Sequence, residues 1–351
     1  MVYIKNVRLD GEYVNIGIED GKFAEILPLC VECSGIDFGG AKIYPGLIEI
    51  HSHGAMGVDT MDCDVEFLAR EYLKCGVTTL YPTTMTASYE DIERVVRQPH
   101  PTVGANIPGY HLEGPFINAE KCGAQKPELI KEPDLAWIST LPNVALVTVA
   151  PECAGAMEFI EGCGAVVCLG HTAADYDTAS AAIRLGAKCL THTFNAMPPI
   201  HHRAPGPILA GADLGAYAQI ISDGIHLHPS VVRAAVKLFG KDKVVLISDS
   251  VRATGLADGE YELGGQLTTV KDGVARIANS ALAGSTTTLF ECVRRAISFG
   301  ISEADAVKMA SENPARLMGL NKGKIAVGYD ADFIIVDDSF NLVRAVARGE
   351  V

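Results

Sequence analysis

The sequence predicts an α/β protein with a (β/α)8 barrel and a small sheet domain formed by both chain termini. Three observations support this fold class. Short apolar runs alternate with stretches of helical spacing through the middle of the chain, polar residues follow many of these runs, and β-rich segments lie at both ends. Barrel enzymes keep their chemistry at the carboxyl ends of the strands, so the polar residues favour a barrel over the alternative, a doubly wound open sheet.

The composition indicates an ordinary globular protein. The 351 residues are 48% hydrophobic and 21% charged, and this length allows one large domain with a smaller one attached. The net charge of −14, without a basic stripe, argues against nucleic-acid binding. Apolar runs are too short to span a membrane and the first ten residues lack a secretory pattern, so we expect a cytoplasmic protein without a membrane partner. We expect its ten scattered cysteines to be reduced.

Both chain ends have the pattern of short strands joined by tight turns. Asp10-Gly11 and Asp20-Gly21 are typical of two-residue hairpin turns. The strands predicted at the two ends are Val2–Leu9, Tyr13–Ile18, Lys22–Ile26, Asp332–Val336 and Leu342–Val346. We therefore predict a small domain from residues 1–44 and 323–351, and a barrel from residues 45–322.

The middle of the chain supplies the eight strands that a barrel needs. Runs that are apolar on both faces fit a parallel sheet covered by helices. The predicted strands are Ile43–Ile50, Thr78–Pro82, Ile107–Leu112, Val144–Val149, Val166–Leu169, Lys188–Leu190, Ala218–Ile221 and Val244–Ile247. Helical spacing occurs in Val65–Cys75, Tyr89–Val96, Ala173–Leu185 and Ser230–Phe239.

His51 and His53 form a His-x-His pair at the end of the first predicted strand. Residues two apart in a strand point to the same face, so both imidazoles can bind one cation. A pair of solvent-facing histidines is the alternative when the motif is taken alone.

Later strand ends supply matching residues. Glu113 follows the third strand, His171 the fifth, His192 the sixth and Asp249 the eighth. Each alone could be a helix cap or a core side chain. Together, at successive strand ends, these imidazoles and carboxylates are the ligands that zinc and similar divalent ions accept.

This set of residues indicates hydrolysis of an amide or a related C–N bond. A bound divalent ion lowers the pKa of water to about 7 and polarises a carbonyl oxygen. Asp249 would accept the proton of that water and return it to the departing nitrogen. Amide hydrolysis needs this second step, because an unprotonated amine leaves poorly.

Five segments of the chain carry recognisable motifs: Gly46–Gly54, His111–Phe116, Gly170–Thr172, Thr191–Met197 and Ser222–His226. Together they resemble the N-acetylglucosamine-6-phosphate deacetylase family of the amidohydrolase superfamily. The resemblance runs from about Tyr44 to Leu320, and the flanking strands resemble the small β-sandwich domain of that family.

The resemblance implies a ligand set. Glu113, His171 and His192 would hold the principal metal, and Asp249 would be the catalytic carboxylate. His51 and His53 would build a second metal site that shares Glu113. The implied cofactor is one or two divalent ions, with zinc expected and iron or another first-row metal as the alternative.

The resemblance also implies the substrate-binding residues. These are Ala124, Gln125, Asn195, Ala196, Arg203, His226, Leu282, Ala283 and Gly284. Arg203 suits a phosphate because its planar group donates two hydrogen bonds at once. Gln125 stands where the family often has His, and it can donate a hydrogen bond but cannot carry a proton. We hypothesise that Gln125 hydrogen-bonds the substrate.

The expected activity is hydrolysis of N-acetyl-D-glucosamine 6-phosphate to D-glucosamine 6-phosphate and acetate, and the expected partner is this phosphorylated amino sugar. The galactosamine epimer, or a small C–N substrate of another amidohydrolase, is the alternative within this class. A non-catalytic barrel scaffold is the alternative outside it. The resemblance alone implies a homodimer.

Overall fold

The two chain ends form one seven-stranded sheet. The computed structural model describes residues 1–278 and 280–351 of the chain. Its terminal strands are Val2–Leu9, Glu12–Glu19, Lys22–Pro28, Gly35–Asp37, Lys42–Pro45, Phe333–Val336 and Leu342–Val346. Phe333–Val336 pairs with Lys42–Pro45, so the C-terminal strands join the N-terminal ones in a single sheet. The predicted sheet built from both termini is therefore confirmed, while the division of the chain at residues 44/45 and 322/323 stays a prediction.

The hairpin turns of this sheet are where the sequence places them. Asp10-Gly11 and Asp20-Gly21 both have positive φ at the two central residues, as tight hairpin turns with matching twist require. Inward-facing Ile4, Val7 and Phe23 are fully buried and form the core of the sheet.

Eight parallel strands form the barrel, which confirms the predicted fold class. The strands are Leu47–Ser52, Val77–Thr84, Tyr110–Glu113, Val144–Val149, Val166–Leu169, Cys189–Leu190, Tyr217–Ile221 and Val244–Ile247. Their spatial order follows the chain from first to eighth. The ring closes between the eighth and first strands, because Asp249 N donates to His51 O at 3.0 Å and His53 N donates to Ser250 O at 2.8 Å. An open doubly wound sheet would leave these edges apart.

The first predicted strand is corrected by the structure. Ile43–Ile50 is divided at Gly46, so that Lys42–Pro45 belongs to the terminal sheet and Leu47–Ser52 to the barrel. A Cβ atom on Gly46 would lie 2.2 Å from Thr78 Oγ1. Only glycine allows the chain to pass this close to the second barrel strand as it changes sheets.

Helices cover the outside of the barrel. They are Val65–Lys74, Tyr89–Val96, Leu135–Ile138, Ala156–Gly162, Tyr176–Leu185, Gly206–Asp213, Pro229–Phe239, Leu289–Ser298, Glu303–Ala310 and Glu312–Met318. The helix predicted from Ala173 begins at Tyr176, because the Asp175 side chain caps it by accepting from Thr178 N. Short 3-10 turns occupy Thr60–Asp62, Ala119–Lys121 and Pro127–Leu129, and Gly54–Ala55 pairs with Val58–Asp59. Within the described part of the chain, no helix combines the length and apolar character needed to cross a membrane.

A three-stranded antiparallel sheet, which the sequence analysis missed, follows the eighth barrel strand. Its strands are Gly259–Leu263, Gln266–Lys271 and Val274–Ile277. Buried side chains of this inserted sheet pack with Met85 and Val251, which follow the second and eighth barrel strands. The inserted sheet therefore lies over the barrel end where the strands terminate.

Candidate active site

Six side chains meet at the carboxyl ends of the barrel strands, with Glu113 at their centre. Its Oε1 lies 3.2 Å from His51 Nε2, 3.2 Å from His171 Nε2 and 3.1 Å from His192 Nε2. Its Oε2 lies 3.2 Å from His53 Nε2. The structure therefore brings together imidazoles that are far apart in the sequence.

The six side chains form two groups that fit a divalent cation. Their ligand atoms lie within 4.8 Å of one another in each group, and the groups are Glu113, His171 and His192, and His51, His53 and Asp249. Among the described residues, the buried Nε2 of His51 has no hydrogen-bond partner, and a buried polar atom is costly in that state. Imidazole nitrogens and carboxylate oxygens suit zinc and related ions.

Carbonyl groups behind three of the imidazoles fix their tautomers. His51 Nδ1 donates to Gln219 Oε1 at 2.9 Å, and the Nδ1 of His171 donates to Lys121 O at 2.7 Å. His53 Nδ1 donates to Thr83 O at 3.2 Å. With Nδ1 donating to these carbonyls, each Nε2 faces the carboxylates, and loss of its proton gives the neutral ligand that a metal requires.

The local backbone is strained where the strands end. His171, His192 and Asp249 have φ values of 47°, 26° and 50°. Non-glycine residues rarely adopt positive φ, and such positions cluster at functional sites. With these backbone conformations, all three side chains belong to the groups that converge at the mouth of the barrel.

The electrostatic environment keeps both carboxylates ionised. Burial opposes ionisation of Glu113, but His51 and His171 outweigh it and hold the pKa of Glu113 well below its usual range. Burial likewise opposes ionisation of Asp249, and the neighbouring His51 and His53 nonetheless lower its pKa to about 2. Asp249 Oδ1 lies 3.5 Å from His51 Nε2 and 3.3 Å from His53 Nε2. Asp249 is therefore a proton acceptor at neutral pH.

A cavity of about 370 Å³ opens beside these residues. The size is typical of a small-molecule site. Seven of the nine predicted substrate-binding residues line it: Ala124, Gln125, Asn195, Ala196, His226, Leu282 and Gly284. Ala283 is fully buried behind this wall and faces the apolar cluster under the inserted sheet.

Arg203 is not brought to this cavity. It lies on an exposed loop, where its Nη1 is 2.7 Å from His202 Nε2, and it lines a separate surface groove with residues 173–177. Within a single chain, the prediction that Arg203 contacts a phosphate in the cavity is therefore not met.

Gln125 is tied to the centre of the site. Its Nε2 donates to Glu113 Oε2 at 2.5 Å and its Oε1 accepts from Thr86 N at 2.7 Å. The side chain is buried between these groups while still lining the cavity. A hydrogen bond from Gln125 to the substrate stays a prediction, because its amide already supports Glu113.

Sequence reasoning missed several residues that support or line the site. Glu49 accepts hydrogen bonds from the backbone N–H of His51 and Ser248, and Asp223 Oδ2 accepts from His226 Nδ1 at 2.7 Å. Glu49 stands two residues before His51, on the same strand face, which was the available signal. The cavity wall also includes Met85, Glu120, Lys121, Gly123, Leu263 and Ala281.

The barrel, the two ligand groups at its mouth and an ionised aspartate beside them define the class of a metal-binding barrel hydrolase. Comparisons agree, because the model of the amidohydrolase family matches residues 43–351. The N-acetylglucosamine-6-phosphate deacetylase of Lysinibacillus sphaericus is 36% identical, over 97% of this chain and 93% of the relative. The chain belongs to the amidohydrolase family and, within it, to the N-acetylglucosamine-6-phosphate deacetylases.

Two further comparisons bear on the substrate. An N-acetylgalactosamine-6-phosphate deacetylase of Escherichia coli O157:H7 is 34% identical, over 95% of this chain and 93% of the relative. A solved variant of N-acetyl-D-glucosamine-6-phosphate deacetylase from Mycobacterium smegmatis, in complex with N-acetyl-D-glucosamine-6-phosphate, superimposes with a TM-score of 0.90. It is 32% identical, and the match covers 99% of this chain and 98% of that one.

Proposed function

We propose that this chain hydrolyses the acetamide of N-acetyl-D-glucosamine 6-phosphate, consuming one water and releasing acetate and D-glucosamine 6-phosphate. The observation that carries this proposal is the convergence of two imidazole–carboxylate groups and the ionised Asp249 on one cavity. The relatives named above supply the substrate class.

The cofactor that we propose is zinc, bound as one or two ions. Glu113, His171 and His192 would hold the principal ion, and His51 and His53 a second ion that shares Glu113. Zinc suits this mixture of nitrogen and oxygen ligands, and iron is the main alternative. When bound, the metal supplies a water of lowered pKa and polarises the substrate carbonyl.

Asp249 performs the proton transfers. Its low pKa leaves it ionised, so it accepts a proton from the attacking water and then delivers that proton to the departing nitrogen. The amine leaves in its neutral form with the C–N bond cleaved, and the carboxylate of Asp249 is regenerated. Burial of Asp249 limits competing exchange of this proton with solvent.

The phosphate end of the substrate lies toward His226, Asn195 and Ala196. Asp223 opposes the loss of the His226 proton, since its carboxylate lies 2.7 Å from Nδ1 and raises the pKa of that imidazole against the effect of burial. A protonated His226 attracts the phosphate dianion.

Arg203 supports the proposal of a homodimer. Its side chain is exposed and does not line its own cavity, where His226 and Lys121 are the basic side chains of the wall apart from the metal-site histidines. We propose that Arg203 reaches the phosphate in the partner's site. The expected cytoplasmic location is likewise part of this proposal.

Three measurements test the function. The purified protein should contain zinc by elemental analysis and should release acetate from the gluco-configured phosphate, with loss of most activity on the unphosphorylated sugar. The galacto epimer is the second candidate, because a relative of that name is 34% identical, and the ratio of kcat/KM for the two epimers decides between them. A metal-free protein that releases no acetate from any acetylated hexosamine would instead support a scaffold.

The role of Asp249 has its own test. Asp249→Asn should fold and bind metal but lose about 10²–10⁴-fold in kcat, the range for a general acid–base group. Asp64→Asn is the matched control, because Asp64 caps a helix by accepting from Phe67 N, and asparagine caps equally well. Turnover of Asp249→Asn near that of the control would remove Asp249 from this role.

A further inference from the structure

One wall of the cavity, immediately beside the ligand groups, is apolar. Met85 follows the second barrel strand, and Leu263 ends the first strand of the inserted sheet. Both line the cavity, although only 3% of Met85 and 2% of Leu263 is exposed. The remainder of each side chain packs in the cluster that contains Val251 and Ala283.

The Gln125 side chain connects this apolar wall to the central carboxylate of Glu113. Met85 Sδ is 3.9 Å from Gln125 Nε2, and the same nitrogen donates to Glu113. The hairpin after Leu263 packs on Met85 as well, since a Cβ atom on Gly264 would lie 3.2 Å from Met85 Cγ. Met85 in the apolar wall is therefore contacted both by Gln125 and by the hairpin at Gly264.

The cavity lining offers both apolar and polar groups. Met85 and Leu263 line it together with Asp249, Asn195 and His226. An N-acetylhexosamine phosphate likewise has an apolar methyl group beside its reacting carbonyl, and a polar phosphate. Placing the carbonyl at Asp249 and the phosphate toward His226 leaves the apolar wall for the methyl group.

We propose that Met85 and Leu263 form an acyl pocket that restricts this enzyme to short acyl groups. The proposal rests on the proposed function. Both side chains are packed in a buried cluster, so a longer acyl chain must displace them, and well-packed side chains resist such displacement. Shortening either side chain opens room for additional methylene groups without removing any group that we assign to catalysis.

The test compares acyl chain lengths. The kcat/KM values for the acetyl, propionyl and butyryl amides of the same hexosamine 6-phosphate are measured for the wild type, Met85→Ala and Leu263→Ala. The wild type should disfavour each added methylene about 10- to 200-fold, the usual range for a hydrophobic pocket. Each variant should reduce this discrimination at least about tenfold, chiefly through faster turnover of the longer amides.

Two matched controls distinguish the effect of an acyl pocket from a general loosening of the packing around the cavity. Met61 packs against the same cluster without lining the cavity, and Leu267 lies 62% exposed on the inserted sheet. Met61→Ala and Leu267→Ala should keep the wild-type discrimination. If Met85→Ala does not fold, as judged by thermal melting, Leu263→Ala decides the result.

The outcomes are distinguishable. The acyl pocket would be overturned if folded Met85→Ala and Leu263→Ala kept the wild-type acyl discrimination, or if the controls changed it equally. Hydrolysis of the acetyl substrate by the wild type would still support the function in that case. Absence of acetyl hydrolysis by the wild type would overturn the function itself.

Discussion

Glu49 joins the strand that carries the His-x-His pair to the strand that ends at Asp249. Its carboxylate is fully buried, and it accepts from His51 N at 3.0 Å through Oε1 and from Ser248 N at 3.0 Å through Oε2. This bridge lies at the closure of the barrel, next to the backbone bond from Asp249 N to His51 O. We therefore predict that Glu49→Gln disturbs the site far more than it disturbs the fold.

The expected loss of folding stability in Glu49→Gln follows from the number of hydrogen-bond acceptors that the side chain offers. Glutamine offers one acceptor oxygen, so one buried backbone N–H faces an NH2 group, and an unsatisfied buried donor costs about 1–3 kcal/mol. Removing the charge offsets part of this cost, because burial raises the pKa of Glu49 to about 7. For 351 residues, an unfolding entropy of about 2.1 cal/mol/K per residue converts 1–3 kcal/mol into a Tm decrease of about 1–4 °C.

The effect on activity should be larger. His51 and Asp249 depend on this bridge for their relative position, and a shift of about 1 Å in a catalytic group can cost about 10²-fold in rate. We expect Glu49→Gln to lower kcat about 10²-fold and to weaken binding of the second metal ion. Steady-state kinetics, thermal melting and a zinc titration measure the three quantities.

Asp332→Asn is the matched control. Asp332 is also a buried carboxylate that accepts a backbone N–H, from Arg348 at 2.7 Å, but it lies in the terminal sheet region. Because Asp332 also pairs with the buried ammonium of Lys322, the control should lose at least as much stability as Glu49→Gln and still keep its kcat. If Glu49→Gln kept wild-type kcat and zinc affinity, or if the control lost as much of both, the reasoning about the bridge would be wrong.

Three other predictions follow from the site. In Asp223→Asn the pKa of His226 should fall, because burial lowers it and the Asp223 carboxylate that raises it is gone. The variant should lose the folding stability that the His226–Asp223 pair gives the wild type below pH 6.5 and that is lost as pH rises through the raised pKa. A KM-versus-pH series should show phosphate binding weakening at lower pH than in the wild type. Chelation should abolish turnover and lower the Tm, and zinc at 100 times its Kd should restore about 2.7 kcal/mol of stability; a melting curve indifferent to zinc would contradict this. Arg203→Ala should raise KM, and mixing it with Asp249→Asn should restore activity through heterodimers that contain one complete site; mixtures with no gain would mean that Arg203 acts in its own chain or not at all.

The residues that meet at the barrel mouth could be predicted because each lies at the end of an apolar strand or just after it. A barrel brings all strand ends to one mouth, so Glu113, His171 and His192 needed only their strands to be recognised. Arg203 lies many residues beyond its strand, and the direction of such a loop depends on packing that the local sequence does not encode. Met85 was overlooked because an apolar residue after a strand resembles any core residue.

The inserted sheet was missed for a different reason. Gly264-Gly265 and Asp272-Gly273 are hairpin signals, and both residues of each turn have positive φ. Between them, Gln266–Lys271 alternates buried and exposed residues, the pattern of a sheet with one solvated face. Because eight strands already completed the predicted barrel, these signals were not connected to the site. The sheet nevertheless supplies Leu263 to the cavity wall.

The strained residues at the barrel mouth show how the fold and the chemistry depend on each other. Positive φ at His171, His192 and Asp249 costs about 1–3 kcal/mol per residue, so these conformations persist only if the surroundings hold them. Hydrogen bonds do so on the backbone, since Asn118 N donates to His171 O at 2.9 Å and Ser285 N donates to Asp249 O at 2.7 Å. Glycine at these positions would relieve the strain but remove the imidazole or carboxylate. The barrel therefore gives up local stability at its mouth to hold His171, His192 and Asp249 in the cluster that also contains His51, His53 and Glu113.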